Sequence, residues 1–242
     1  MKALILAGGR GKRLDETTEQ NHKCLIELRG RSLIEFSLDA ASSLEQIEEI
    51  IIVVGFRAED IINRFGIEYK GKKIQYVIQR EQKGLVHAIE CAVPLLGESD
   101  FLLMLGDEIM VNPKQGDMLD FFSNGNLFGV CGIVHEPDKA KISRTYSIMQ
   151  NEDARIFRLI EKPRNPLNNL KGTGNCVFKN EIISLIERTP INPNRNEKEL
   201  PDLIQCAIDD GKVVKSFVVC DHYTNINSNK ELMEIVNTFP LE

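Results

Sequence analysis

Residues 4–14 read Leu4-Ile5-Leu6-Ala7-Gly8-Gly9-Arg10-Gly11-Lys12-Arg13-Leu14, and Lys23-Cys24-Leu25 follow after a polar stretch. An apolar run thus opens directly into a loop that carries three glycines and three cations. Such a loop can wrap backbone N–H groups around a polyphosphate while its side chains neutralise the charge. A second residue suited to chemistry is Asp107, which closes the apolar run Phe101-Leu102-Leu103-Met104-Leu105-Gly106. A carboxylate at the end of such a strand can cap a turn or hold a hard cation.

Two familiar phosphate loops fail on spacing. A dinucleotide fingerprint needs a third glycine where Leu14 stands, and a helix where residues 15–22 offer a polar loop. A Walker-type loop needs Gly-Lys-Ser or Gly-Lys-Thr, which is absent.

Residues with this chemistry need a scaffold, and the apolar pattern supplies one. Short continuous apolar runs at Ala3–Ala7, Ile50–Val54 and Phe101–Leu105 predict buried strands, and Ile74–Ile78 alternates as a further strand. Helical spacing appears over Ser32–Leu44, Glu59–Phe65 and Leu85–Leu96, and Asn112-Pro113 reads as the cap and first turn of a helix through Phe122. The second half is richer in strands: Phe128–Val134, Tyr146–Met149, Ile156–Ile160, Cys176–Phe178 and Val213–Val219. Helices are expected at Glu181–Arg188, Glu199–Asp210 and Lys230–Val236, the last with a Ser228/Glu231 capping box. Pro163–Asn169 and Pro190–Asn196 read as surface loops. The alternation predicts an α/β fold, a mixed, mainly parallel sheet with helices on both faces. Ligands of such folds bind beyond the carboxyl ends of the strands, where the glycine loop and Asp107 both fall. No repeat or long linker interrupts the 242 residues, so a single domain is expected.

Composition narrows the partners. A net charge of −6 argues against nucleic acid, yet seven cations crowd residues 2–31 against four acids, which suits a small anionic ligand. The six cysteines show no metal-ligand spacing and read as reduced, buried thiols. His22, His87, His135 and His222 are scattered and default to structural or surface roles. With no signal-peptide pattern and no apolar run long enough to span a bilayer, the expected setting is cytoplasmic, away from membranes.

The segment Leu6-Ala7-Gly8-Gly9-x-Gly11-x-Arg13-Leu14 followed by Lys23-x-Leu25 resembles the signature of the sugar-1-phosphate nucleotidylyltransferases, the glucose-1-phosphate thymidylyl- and uridylyltransferases among them. The likeness continues in order along nearly the whole chain: Gln79 through Gly84-Leu85, Leu105-Gly106-Asp107, Glu161-Lys162-Pro163, Thr173 through Phe178, Glu199 through Asp202, and Asn225 through Leu232. The resemblance implies a Rossmann-like nucleotidyltransferase fold of glycosyltransferase-A type, with a nucleotide-binding part over about 1–112 and an acceptor-binding part over about 113–242. It implies a nucleoside triphosphate and a small phosphorylated acceptor as partners, and Mg2+ as cofactor.

Residue by residue, the likeness assigns Leu6, Ala7, Gly8, Gly9, Gly11, Arg13, Gln79 and Gly84 to the nucleotide. Arg13 would grip the leaving β,γ-phosphates, and Lys23 the α-phosphate. Lys162 would hold the attacking phosphate, with Glu161, Gly174 and Asn175 around the acceptor. Asp107 and Asn225 would take the metal, and Glu108 either extends that site or is a solvated loop acid. Cytidylyl or guanylyl transfer, a phospho-alcohol or modified sugar phosphate as acceptor, and a non-catalytic nucleotide-sugar sensor are the other readings. Retention of Arg13, Lys23, Asp107 and Lys162 together favours the enzyme. No acyltransferase-like repeat follows, so a single activity is expected, with homo-oligomerisation left open.

Several positions depart from the family pattern. Lys12 stands where Thr or Ser is usual, Asp15-Glu16 replace a proline-containing segment, and Arg29 to Ser32 replace a Gly-Lys-Pro turn. His22 replaces a proline, which implies a looser approach to Lys23. Ser147 stands where glycine is common near the sugar, so its side chain is expected to narrow the acceptor pocket.

Overall fold

The computed structural model describes residues 1–9 and 22–226. In chain order the strands are β1 (Lys2–Ala7), β2 (Glu27–Leu28), β3 (Arg31–Ser32), β4 (Glu49–Val54), β5 (Glu68–Tyr69), β6 (Lys72–Ile78), β7 (Phe101–Leu105), β8 (Glu108–Val111), β9 (Gly129–His135), β10 (Tyr146–Gln150), β11 (Ile156–Glu161), β12 (Leu170–Phe178), β13 (Ile191–Asn192), β14 (Glu197–Lys198), β15 (Val214–Val218) and β16 (His222–Asn225). The helices are α1 (Leu33–Ser43), α2 (Ala58–Phe65), α3 (Leu85–Leu96), α4 (Gln115–Asn124), the short α5 (Lys139–Ile142) and α6 (Leu200–Asp209).

The main sheet runs β11-β10-β12-β7-β1-β4-β6-β5, with β9 on β12 and β15 on β9. Strands β7, β1, β4 and β6 are parallel, whereas β12, β10 and β11 join antiparallel. Side chains along a strand alternate between faces, and the core divides accordingly. Leu4, Leu6, Ile51 and Val53 pack with α3 and α6 on one face. Ala3, Ile5, Ala7, Ile50, Ile52 and Val54 pack with α1, α2 and α4 on the other. Burial on both faces explains why these strands read as unbroken apolar runs. Ser32 and Glu35 close a capping box at the start of α1.

Three expectations about elements change. Asn112 does not cap α4, which begins at Gln115 after Lys114. Asn112 adopts a left-handed φ of 50° and donates from Nδ2 to Asp221 Oδ2 at 2.9 Å, so its side chain ties the exit of β8 to the entry of β16 instead. The helix expected over Glu181–Arg188 is a 3-10 segment, Asn180–Leu185. Its start is pinned by Asp100, which accepts from the Asn180 amide at 3.0 Å, and it carries the β-branched pair Ile182-Ile183. The segment Pro190–Asn196 contributes to a hairpin, with Ile191–Asn192 paired to Glu197–Lys198. The expected Lys230–Val236 helix and its capping box lie outside the described residues.

Four cysteines (Cys24, Cys131, Cys176 and Cys220) are buried, Cys91 and Cys206 are partly buried, and all six are free. Among the described residues no helix is long and apolar enough to cross a membrane.

Candidate active site

At the carboxyl edge of the parallel strands lies a cleft of about 460 Å³. Leu6, Ala7, Gly8, Gly9, Lys23, Gln79, Gly84, Asp107, Glu161, Lys162, Gly174 and Asn225 all line it. Gly11 and Arg13, also expected at this site, lie outside the described residues, as does Lys12.

Backbone pairing builds the phosphate end. Strand β1 runs beside β7 with Leu6 opposite Leu105, and the Gly106 amide donates to the Leu6 carbonyl at 3.0 Å, carrying the pairing past the strand end. This places Asp107 beside the first glycines. A Cβ on Gly8 would stand 2.8 Å from Gln79 Oε1, and a Cβ on Gly55 2.7 Å from the Gly8 carbonyl. Gly8 and Gly55 therefore meet where neither has room for a side chain, whereas Gly9 beyond them is open. Lys23 sits in a 3-10 turn, Lys23–Leu25, and its ammonium pairs with the Asp107 carboxylate.

His22 differs from the loose residue anticipated. It is fully buried, and its Nδ1 accepts from the Cys24 amide at 3.1 Å, capping the turn that presents Lys23. Its φ of −67° is one that proline also adopts, so the side-chain cap does the restraining here. Burial pulls its pKa below the usual imidazole value, with the Ala7 backbone acting in the opposite direction.

The acceptor end is ionic. Lys162 holds a left-handed φ of 42°, fixed by its amide donating to the Thr145 carbonyl at 2.6 Å, and its ammonium lies 3.4 Å from Glu161. Arg195, at the turn of the β13–β14 hairpin, reaches Glu199 at 2.8 Å, Glu197 at 3.0 Å and Glu161 at 3.6 Å. Burial, and then the charge of Glu199, pushes the Glu161 carboxyl up to about 7 against the pull of Lys162 and Arg195. Burial likewise raises Glu199. Arg195 and Glu197 were not among the residues expected at the site, Arg195 because it falls in the Pro190–Asn196 segment that reads as a surface loop; Glu199 opens the Glu199–Asp202 segment that the likeness already singles out. The Arg-x-Glu-x-Glu spacing alternates toward the cleft and was the available signal.

Glu108 is neither a solvated acid nor a side chain free to take a metal. It is 3% exposed and accepts from the Gly174 amide at 2.8 Å, Asn175 Nδ2 at 2.9 Å and the Tyr223 hydroxyl at 2.5 Å. Burial raises its carboxyl to about 7 despite these donors. Strand β8 pairs with β16 so that Glu108 faces Asn225, which brings Asn225 to the residue beside Asp107. Asn175 does not line the cleft; strand alternation turns it away from Gly174's side, where it bonds Gln115 and Glu108 along a second cavity of about 670 Å³. Ser147 is buried and also absent from the cleft wall, to which its neighbours Thr145 and Tyr146 contribute. It therefore does not narrow the pocket.

Comparison with known proteins gives the family. The family model described as nucleotidyl transferase matches residues 2–235. The chain belongs to that family. By class this nucleotidyltransferase is an enzyme. It is 34% identical over 214 residues to the UTP–glucose-1-phosphate uridylyltransferase AglF of Haloferax volcanii, covering 88% of this chain and 86% of that protein. It is 30% identical over 246 residues to a glucose-1-phosphate thymidylyltransferase of Streptomyces griseus, spanning 100% of this chain but 66% of the relative. A UDP-glucose pyrophosphorylase solved with UDP-glucose superposes with a TM-score of 0.88 at 20% identity, over 98% of this chain and 97% of the other. That likeness carries the fold: a mixed sheet with helices on both faces.

Proposed function

We propose that this nucleotidyltransferase joins a nucleoside triphosphate to a sugar 1-phosphate, giving a nucleotide sugar and pyrophosphate. A phosphate oxygen of the acceptor attacks the α-phosphorus, a new P–O–P bridge forms, the α–β bond breaks, and pyrophosphate departs with the electron pair. The reaction brings two anions together, so the protein's work is alignment and charge neutralisation. The observation that carries the reading is the placement of two lysines in one cleft: Lys23 beside Gly8 and Gly9, and Lys162 beside Glu161. Residues up to about 112 supply the nucleotide end and later residues the acceptor end. Lys23 steadies the charge developing on the α-phosphate, Arg13 holds the leaving phosphates, and Lys162 with Arg195 holds the attacking one. Glu161 and the Gly174 backbone meet acceptor hydroxyls. No nucleophile–base pair is required.

Among the described residues no three His, Cys, Asp or Glu side chains gather to hold a metal by themselves. The donors present, the Asp107 carboxylate and the Asn225 amide oxygen, are hard oxygens that fit Mg2+ shared with substrate phosphates. In that position Mg2+ would supply neutralisation of the phosphate charge. The relatives' names favour UTP or TTP with glucose 1-phosphate as the first pair to test; cytidylyl or guanylyl transfer to another small phosphate is the second reading. Phosphorus NMR of a mixture of protein, Mg2+, UTP or TTP, and glucose 1-phosphate tests the proposal. New diphosphate-ester signals growing in step with pyrophosphate are expected; orthophosphate alone would mean hydrolysis and end the proposal.

A further inference from the structure

The nucleotide end of the cleft is backed by a chain of hydrogen bonds that runs into α3. Gln79 Nε2 donates to the Gly84 carbonyl at 3.2 Å and lies 2.9 Å from His87 Nδ1. His87 Nε2 in turn faces Cys91 Sγ at 3.7 Å, one helical turn on. The Gly84 carbonyl can only accept, so it decides which end of the Gln79 amide is nitrogen. The second amide hydrogen then points at His87 Nδ1, which must be the bare ring nitrogen, leaving the ring hydrogen on Nε2 toward sulfur. Both donors of Gln79 are committed in this way. Only Oε1 remains, and it stands against Gly8, 2.8 Å from where a Cβ would be. Gln79 lines the cleft, whereas His87 stands behind it.

We propose that His87 is a positioning residue for nucleobase selection: by accepting from Gln79 it locks the amide with its oxygen toward the cleft, so that a base is chosen by the hydrogen-bond donor it offers to that oxygen. The proposal rests on reading the Gly8–Gly84 end as the base pocket. Terminal amide torsions are broad and roughly two-fold, so with one anchor in place of two the Gln79 oxygen loses its fixed direction. A neutral hydrogen bond of this kind corresponds to roughly a 3- to 10-fold change in an equilibrium.

The test is calorimetric binding of UTP, TTP, CTP and GTP, without acceptor, to the wild type, His87→Leu and His87→Gln, with thermal unfolding to check each variant. Leucine cannot accept from Gln79, whereas the side-chain oxygen of glutamine can. The affinity ratio between the preferred base and the next is expected to fall roughly 3- to 10-fold in His87→Leu and to recover in His87→Gln, while the KM for the acceptor stays constant. An unchanged ratio in His87→Leu overturns the proposal. So does a uniform loss of affinity for all four nucleotides, or a failure of glutamine to rescue. A wild type that shows no base preference overturns it too. A wild type that binds with preference yet releases no pyrophosphate with any acceptor overturns the proposed function alone, and the ratios still decide the role of His87.

Discussion

Replacing Glu108 separates two ways in which a buried carboxylate can hold an active site together. In Glu108→Ala the Gly174 amide, Asn175 Nδ2 and the Tyr223 hydroxyl lose their common acceptor. Each buried donor left without a partner costs about 1–3 kcal/mol. The lower end applies here for two reasons. Glu108 borders both the cleft and the second cavity, so water can enter the space. Its carboxyl is also strongly desolvated, and alanine removes that penalty. The sum is about 3 kcal/mol, which for a chain of this size lowers the melting temperature by roughly 6–12 °C. Glu108→Gln should behave differently. Its side-chain oxygen can serve Gly174 and Tyr223, and its amino group can be met if the Asn175 and Gln115 amides turn over together, since those two bond each other at 3.0 Å. That variant is expected to lose less than about 1 kcal/mol. Differential scanning calorimetry of both variants decides the matter. Equal destabilisation by glutamine and alanine, or an alanine variant that melts with the wild type, would refute the reasoning.

Other consequences follow from the same cleft. Lys23→Ala and Lys162→Ala should each lower turnover on the order of 100-fold, the scale for removing a positioned charge stabiliser; near wild-type pyrophosphate release would remove that lysine from the reaction. Because the Glu161 carboxyl sits near 7 rather than near 4.5, the fold favours its protonated form. Its contribution to the stability of the free enzyme is complete below pH 4.5 and is lost as pH rises through about 7. The ionised form accepts hydroxyls on both oxygens through stronger, charge-assisted bonds, so the acceptor KM should fall as pH rises through 7, and this limb should vanish in Glu161→Gln; an identical profile in both enzymes would contradict it. In Gly172→Ala the new Cβ would stand 2.1 Å from the Tyr146 ring, whose hydroxyl is held by the Thr173 carbonyl at 2.7 Å. A destabilisation of about 1–3 kcal/mol or more in urea is expected, and an unaltered midpoint would show that the ring moves freely.

The parallel half of the fold was legible because strands buried on both faces must be apolar throughout. The runs at Ala3–Ala7, Ile50–Val54 and Phe101–Leu105 therefore marked β1, β4 and β7 almost to the residue. The α3 stripe over Leu85–Leu96 was legible for the matching reason of helical period. What escaped were features decided by distant partners. Nothing local says that Asn112 will turn to Asp221 rather than cap a helix, or that Asp100 will pin the segment after Lys179. The four residues Glu108–Val111 form a strand only because β16 returns to pair with them. At the site, residues carried by glycine-rich or strand-end motifs were placed in the cleft, while Arg195 was overlooked because a short hairpin leaves almost no pattern. Glu108 was weighed for its place beside Asp107 and Asn175 for its place in the Thr173–Phe178 motif, and the hydrogen bond they make to each other commits both to holding the strands together.

The most direct measurement of the central claim is pyrophosphate release across a matrix of nucleoside triphosphates and phosphorylated acceptors with Mg2+ present. The account predicts release only when a triphosphate and a sugar 1-phosphate are supplied together, with one nucleotide preferred. Release from a triphosphate alone, or none from any pair, would contradict it.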